Sequence, residues 1–319
     1  MESRRRGDND TRTAHAWHAG AMTTPLPPGR AVALDGLITH IRDIPGDDPD
    51  AEPALYVHGL GGSGLDWADL APLLTSRLSA QAIDLPGFGR SEPGRRYGVA
   101  ACAARTIRWL EESGRGPVHL FGNSHGGTVS IVVAARRPDL VRSLTLISPA
   151  MPFTDPRWSE HSRLLPLLLV PWVHVLSARY LSTLDPTEVA RDNLLRCYGD
   201  PTLITEERVA RVADEVRRRQ GLPWYPAATV RTFRDLVGAF LRAPLPGGGS
   251  LWRTAAGVTA PTLVIAGRRD RLIDIRVAPR VAAAIPDSRL LILDTVGHLA
   301  HVEAPGTVAG AVLDFLADR

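Results

Sequence analysis

Apolar residues recur along this chain in two rhythms. Short consecutive or alternating runs predict strands at Ala31–Leu34, Leu37–Ile44, Ala54–Val57, Ala80–Ile83, Val118–Phe121 and Val141–Ile147. Much later, Thr262–Ala266 and Arg289–Leu293 read as buried strands. A period of two residues is what a pleated strand imposes. Segments with apolar residues three and four apart predict helices over Trp67–Leu78, Val99–Glu112, Ser124–Arg137, Ala278–Ile285 and Val302–Leu316. Leu70, Leu73, Leu74 and Leu78 set the spacing of the first, and Pro138 ends the third. Asp35-Gly36 between the first two strands predicts a tight hairpin, because such a turn needs positive φ at both central positions. Strands alternating with helices predict an α/β fold, with a mostly parallel central sheet and helices on both faces.

Residues 151–228 break the rhythm. They hold prolines and helix patterns but no clear buried strand. Thr205–Gln220 is the plainest helix, capped by Thr205 and striped by Val209, Val212 and Val216. The expected organisation is a core of residues 31–150 and 229–319, interrupted by a helical insertion at 151–228. Gly247-Gly248-Gly249-Ser250 is a short linker-like run. Residues 1–30 carry Arg4-Arg5-Arg6, scattered Asp and three prolines, and read as a disordered extension. No apolar run of useful length follows those arginines, so a secreted form is not expected and a cytoplasmic location is. Met22 is a candidate start as well as Met1. The longest apolar stretch, Leu164–Leu176, has Pro166, Pro171 and His174 inside it and is too short for a bilayer span of about 20 residues.

Composition changes the picture mainly by exclusion. All 37 basic side chains are arginine, and lysine is absent. That removes Schiff-base, P-loop and Ser–Lys chemistry, since arginine stays protonated in a protein. The uniform arginine is read as a coding or surface preference. Arg191, Arg196 and the run Arg208–Arg219 are expected on a solvated helix surface. A net charge of +3 with interleaved signs gives no case for nucleic acid. Cys102 and Cys197 form neither a disulfide framework nor a metal-ligand spacing. No cofactor and no metal are expected.

The strongest chemical signal is Gly122-Asn123-Ser124-His125-Gly126-Gly127, between a predicted strand and a predicted helix. A serine there needs a very sharp turn to stand above the sheet. Small neighbours let strand and helix approach, and the helix start brings positive backbone dipole. With this strand–turn–helix context the sequence resembles the α/β-hydrolase family, from about residue 31 to the C-terminus. The resemblance is tight in the sheet motifs and vague in the insertion.

The resemblance implies roles for further residues. His58-Gly59-Leu60-Gly61-Gly62 looks like the family's His-Gly loop. The backbone N–H groups of Leu60 and His125 would then form the oxyanion hole, with Gly59, Gly122 and Gly126 supporting it. His58 is expected to bond the loop backbone. Asp84-Leu85-Pro86-Gly87-Phe88-Gly89-Arg90-Ser91 reads as a structural turn whose Asp84 bonds backbone. His298 follows the last predicted strand, where the family places its base, and His301 is the second choice. Asp270, in Gly267-Arg268-Arg269-Asp270, matches the orienting acid, with Asp274 the runner-up. Arg268, Arg269 and Arg271 are expected to be solvated or paired with surface carboxylates. The order Ser124, Asp270, His298 is the family's chain order.

The insertion would by the same resemblance be a cap over the site. It contains Phe153, Trp158, Leu164–Val170, Trp172, Tyr180, Trp224 and Tyr225, most of them expected to pack the cap itself. The implied activity is a serine hydrolase cleaving a small apolar carboxylic ester through an acyl-enzyme, with Leu164–Leu176 as a weak interfacial contact. Three alternatives stand beside it. Asn123 suggests hydrolysis of carbon–carbon bonds in ring-cleavage products, although Gly59–Gly64 lacks the proline usual in those oxyanion loops. Perhydrolase or haloperoxidase-like activity uses nearly the same groups. A non-catalytic ligand-binding member of the fold is the third. Oligomeric state, stereochemistry and chain-length preference are not legible.

Overall fold

One eight-stranded sheet organises the chain, in the order β1-β2-β4-β3-β5-β6-β7-β8. The strands are β1 (Arg30–Leu34), β2 (Leu37–Ile44), β3 (Glu52–Val57), β4 (Leu78–Ile83), β5 (Val118–Asn123), β6 (Val141–Ile147), β7 (Thr262–Gly267) and β8 (Ser288–Leu293). β2 runs antiparallel to β1 and β4, and the pairs from β4 through β8 are parallel. This computed structural model describes residues 26–153, 180, 183–242 and 250–319. The expectations for residues 1–25, Trp158, Leu164–Leu176 and Gly247-Gly248-Gly249 lie outside the described residues.

The hairpin forms as its turn demands, with φ 48° at Asp35 and 76° at Gly36. Order begins earlier than composition suggests. Leu26 is buried, and the Pro27 carbonyl accepts a hydrogen bond from Arg42. β3, β5 and β7 are buried along most of their length, as strands covered on both faces must be. β8 was expected to be buried but is the sheet edge and half exposed.

Helices α1 (Val99–Ser113) and α2 (His125–Arg136) pack together on one face. They share a core with Leu55, Val57, Leu120, Leu144 and Val264. The opposite face is covered by Trp67, Leu70 and Leu74 and by Phe315 and Leu316 near the C-terminus. Two expected helices are broken. The Trp67–Leu78 pattern resolves into 3₁₀ turns at Gly64–Trp67 and Ala71–Leu74, and Leu78 belongs to β4. Ser63 and Asp66 cap the first turn, and Pro72 has no N–H to carry a longer helix. The Val302–Leu316 pattern starts at Ala300 and splits at Ala304 because Pro305 follows.

Between β6 and β7 stand α3 (Pro186–Cys197), α4 (Glu206–Gln220) and α5 (Tyr225–Arg242). Thr205 caps α4 by accepting from the Arg208 N–H, as its sequence implies. Residue 228, where the insertion was expected to end, lies inside the continuous helix α5. Ala190, Leu194, Tyr198, Val209, Ala213 and Val216 make a small core of this block's own. The remaining helices are α6 (Leu251–Ala256), α7 (Val277–Ala284), α8 (Ala300–Glu303) and α9 (Pro305–Ala317). Among the described residues, no helix is long and apolar enough to cross a membrane.

The arginines of α4 correct one expectation. Arg191 and Arg217 do make exposed ion pairs, with Glu206 and Asp214. Arg208 instead forms a two-pronged pair with Asp69 at 2.8 and 3.1 Å, and the two side chains are only 20% and 9% exposed. Arg219 is held by Glu215 at 3.0 Å and lies over the Tyr225 ring. A planar guanidinium suits both arrangements. The Arg208–Asp69 pair ties α4 to the sheet side of the molecule, so Arg208→Ala strands a buried carboxylate. Urea unfolding of that variant is expected to show a loss of about 2–4 kcal/mol, partly restored by adding Asp69→Asn. A loss below about 0.5 kcal/mol, the size of an exposed pair, would show that the contact is only superficial.

Candidate active site

The loops at the carboxyl ends of the parallel strands converge at one edge of the sheet, where open α/β sheets bind ligands. Ser124 sits there between β5 and α2, with φ 51° and ψ −118°. A residue with a Cβ rarely adopts that conformation. Hydrogen bonds hold it. The Ser124 N–H donates to Ile147 at 3.0 Å, and its carbonyl accepts from Thr128 and Ala150. The turn also needs its glycines. A Cβ on Gly126 would lie 2.3 Å from the Val57 carbonyl oxygen, and one on Gly122 would lie 2.5 Å from that of Gly126. The start of α2 is therefore pressed against the end of β3, with positive dipole beside the serine.

The loop after β3 lies against this turn. Gly61 has φ 76°, and the Gly62 N–H closes the loop on the Gly59 carbonyl at 3.1 Å. A Cβ on Gly59 would come within 3.4 Å of the Ser124 Cβ. Leu60 and His125 thus stand on the two backbone segments that meet at Ser124. His58 is fully buried. Its Nε2 accepts from the Leu85 N–H at 2.9 Å, so its Nδ1–H donates to the Gly59 carbonyl at 2.7 Å. Asp84 accepts from the N–H groups of Gly64 and Arg90 and pairs with His40 at 3.0 Å. Burial opposes its ionisation, but the His40 hydrogen bond, the nearby His58 and these N–H groups together hold its pKa below the ordinary value.

Asp270 and His298 meet on the far side. His298 Nδ1 lies 2.8 Å from Asp270 Oδ2, with the two side chains 6% and 2% exposed. The other Asp270 oxygen accepts from the N–H groups of Leu272 and Ile273 at 2.8 and 3.0 Å. Burial alone would raise this carboxyl's pKa. The adjacent His298 and the two backbone donors outweigh it, so the pKa is lowered. An ionised Asp270 only accepts, so His298 Nδ1–H is the donor in this pair. Asn123 spans the gap to the serine turn, its Nδ2 donating to the carbonyls of Ile147 at 3.1 Å and His298 at 3.4 Å.

The second choices lie elsewhere. His301 is fully buried against Trp67, with ring centroids 4.6 Å apart and no hydrogen-bond partner on either nitrogen among the described residues. Asp274 pairs with Arg276 at 2.7 Å. Of the arginines around Asp270, Arg268 pairs with Asp294 as expected. Arg269 and Arg271 are exposed, as expected, and make one further contact each. They donate to the backbone carbonyls of Gly199 and Leu195 near the end of α3. That α3 end also accepts the His298 N–H, on the Cys197 carbonyl at 2.7 Å. Sequence reasoning missed this contact, because nothing in the order of residues marks Cys197 or Gly199 as neighbours of His298. No group of three or more His, Cys, Asp or Glu is placed to hold a metal among the described residues.

Aromatic residues of the insertion divide between packing and the site. Phe153 packs under Arg276, whereas Tyr180 is largely exposed. Tyr225 meets Phe88 edge-on at 6.2 Å and points its hydroxyl at the Gly61 carbonyl, 3.5 Å away.

Comparison with known proteins agrees with this fold. The model of the alpha/beta hydrolase fold family matches residues 53–305. The chain belongs to that family. It is 26% identical to the uncharacterized hydrolase YugF of Bacillus subtilis, over 91% of this chain and 98% of that protein. It is 27% identical to a 2-hydroxy-6-oxononadienedioate/2-hydroxy-6-oxononatrienedioate hydrolase of Cupriavidus pinatubonensis, over 83% of this chain and 87% of the other. Among solved structures, a bacterial membrane phospholipase A superposes with a TM-score of 0.74 at 25% identity, covering 92% of this chain and 86% of that one.

Two buried histidines set a pH limit on the fold. Burial, with His58 nearby, pushes His125 down to about 4. Burial, with His298 nearby, pushes His301 down to about 3 against a smaller opposing effect of Asp69. Both folded values lie below the unfolded value of about 6.5, so unfolding takes up protons and stability falls as pH drops below that value. Each residue is expected to cost about 2 kcal/mol between about pH 7.5 and pH 5. His301→Phe keeps a ring on Trp67 and should shrink the difference between urea unfolding at those two pH values by about that amount. An unchanged difference would rule out His301 as a source of the acid sensitivity.

Proposed function

We propose that this protein is a serine hydrolase that cleaves a carboxylic ester with an apolar acyl or alkyl part. The observation that carries the reading is the 2.8 Å Asp270–His298 pair, tied through Asn123 Nδ2 to the turn that holds Ser124 at φ 51°. In this reading Ser124 Oγ attacks the ester carbonyl carbon while His298 Nε2 takes its proton. The resulting imidazolium is stabilised by Asp270, which also fixes the tautomer. The oxyanion accepts from the N–H groups of Leu60 and His125. Collapse of the tetrahedral intermediate breaks the ester C–O bond, and His298 returns the proton to the leaving alcohol. Water, activated by His298, then hydrolyses the acyl-enzyme and restores Ser124.

The helices between β6 and β7 are proposed as a cap that shields this step. Tyr225 supports that role by reaching from α5 to the Gly59–Gly62 loop. An apolar lining would exclude water and hold the hydrocarbon part of the substrate. The likeness to a phospholipase A favours a lipid-like ester.

A second reading, hydrolysis of a carbon–carbon bond in a dienoate, is favoured by the relative from Cupriavidus pinatubonensis and by Asn123 beside the nucleophile. The same residues would serve it, with a carbanion rather than an alkoxide leaving.

A short-chain p-nitrophenyl ester assay paired with a fluorophosphonate label tests the lead reading. Hydrolysis and labelling are expected in the native protein. Ser124→Ala should lose the label and about a thousandfold or more in kcat, and Asp270→Asn about 10³–10⁴. Normal turnover in Ser124→Ala removes Ser124 from the reaction. Faster loss of a dienoate chromophore than of any ester supports the carbon–carbon reading instead.

A further inference from the structure

Outside the groups used above, the half-buried carboxylate of Glu303 has a conspicuous placement. Glu303 ends α8, where Pro305 stops the helix and Ala304 turns away at φ −136° and ψ 56°. Its Oε2 accepts from the Gly199 N–H at 2.9 Å. Both of its oxygens lie 3.2 Å from the Gly297 N–H. Gly199 lies two residues beyond α3, and Gly297 immediately precedes His298. The two backbone segments touch directly. A Cβ on Gly297 would fall 2.2 Å from the Cys197 carbonyl oxygen, and one on Gly199 would fall 2.6 Å from that of Thr295. The His298 N–H donates to Cys197 across the same seam at 2.7 Å.

We propose that Glu303 is a positioning residue that fastens the end of α3 to the His298 loop and so sets where the His298 imidazole stands over the site. The proposal rests on the reading of His298 as the general base. Its physical reason is simple. Two N–H groups from separate segments converge on one half-buried carboxylate, and charge-assisted bonds of this kind are about twice as strong as neutral ones. Without the carboxylate both donors lose their partner in a half-buried seam. Arg269 and Arg271 pin the loop of Asp270 to the same stretch, on the carbonyls of Gly199 and Leu195. Both partners of the Asp270–His298 pair therefore lean on residues 195–199. In this arrangement the proposed cap is fixed at that point.

Three measurements on the full chain test this. Glu303→Ala is expected to lower kcat for a p-nitrophenyl ester by about tenfold to a hundredfold, with KM within about twofold, because displacement of a base slows chemistry rather than binding. Glu303→Gln keeps one acceptor oxygen and should recover to within about threefold of the native kcat. The third readout needs no turnover. The far-downfield NMR proton of His298 Nδ1–H is expected in the native protein and in Glu303→Gln, and broadened or lost in Glu303→Ala. Native kcat in Glu303→Ala, or a change confined to KM or to melting temperature, overturns the proposal. If Glu303→Ala does not fold, Glu303→Asp decides, because its shorter side chain draws the carboxylate back from both donors: a proton signal and kcat identical to native overturn the proposal, and a reduced kcat with a shifted signal supports it. If the native protein hydrolyses no ester and takes no label, the functional reading fails. The NMR comparison then still decides whether Glu303 positions His298.

Discussion

Residue 124 is held in a backbone conformation that most side chains avoid, and the rest of the site is arranged around that fact. Strain of this kind costs about 1–3 kcal/mol and persists only where the surroundings over-determine it. Here they do. The Ser124 N–H is tied to the end of β6, its carbonyl accepts from both α2 and Ala150, and Gly126 lets α2 touch the end of β3. The energy to hold the turn comes from the buried sheet beneath it, with Leu55, Val57, Leu120 and Leu144 packed on one face and Tyr56 and Phe121 on the other. A single distorted residue thus fixes three things together: the serine above the sheet, the start of a helix beside it, and the approach of the Gly59–Gly62 loop.

The electrostatics follow the same economy. Asp270 is nearly inaccessible, yet its oxygens are saturated by His298 and two backbone donors, so it stays ionised. That requirement selects one tautomer of His298. The cations nearby in sequence are arginines, and two of them, Arg269 and Arg271, hold backbone carbonyls near the α3 end. A chain without lysine makes this natural, because a guanidinium is a broad planar donor. Its arginines serve as clamps at Asp69, Glu215, Leu195 and Gly199 as well as surface charges.

Much of this was legible in the order of residues. The strands announced themselves because apolar runs of that length bounded by Gly and Pro fit few other structures. Ser124, Asp270 and His298 could be picked out because each follows a strand and their chain order matches a known pattern. Local punctuation was harder to weigh. The spacing of Leu70 and Leu74 suits a helix, but Pro72 divides the segment into 3₁₀ turns that bury the same leucines. Pro305 likewise splits a helix, and that break is what puts Glu303 at the seam with Gly199. The contacts of Arg208, Arg269, Arg271 and Glu303 were not legible at all. Each depends on contact between segments distant in sequence, and a charged residue in a helix pattern looks the same whether it faces water or a buried partner.

The proposed chemistry is tested most directly by a crystal structure of the protein after reaction with a small alkyl fluorophosphonate, which mimics the tetrahedral intermediate. Phosphorus is expected on Ser124 Oγ, with the phosphoryl oxygen about 3 Å from the N–H groups of Leu60 and His125 and His298 Nε2 facing the serine oxygen. A protein left unmodified at Ser124, or an adduct whose phosphoryl oxygen points away from those two amides, would contradict the mechanism.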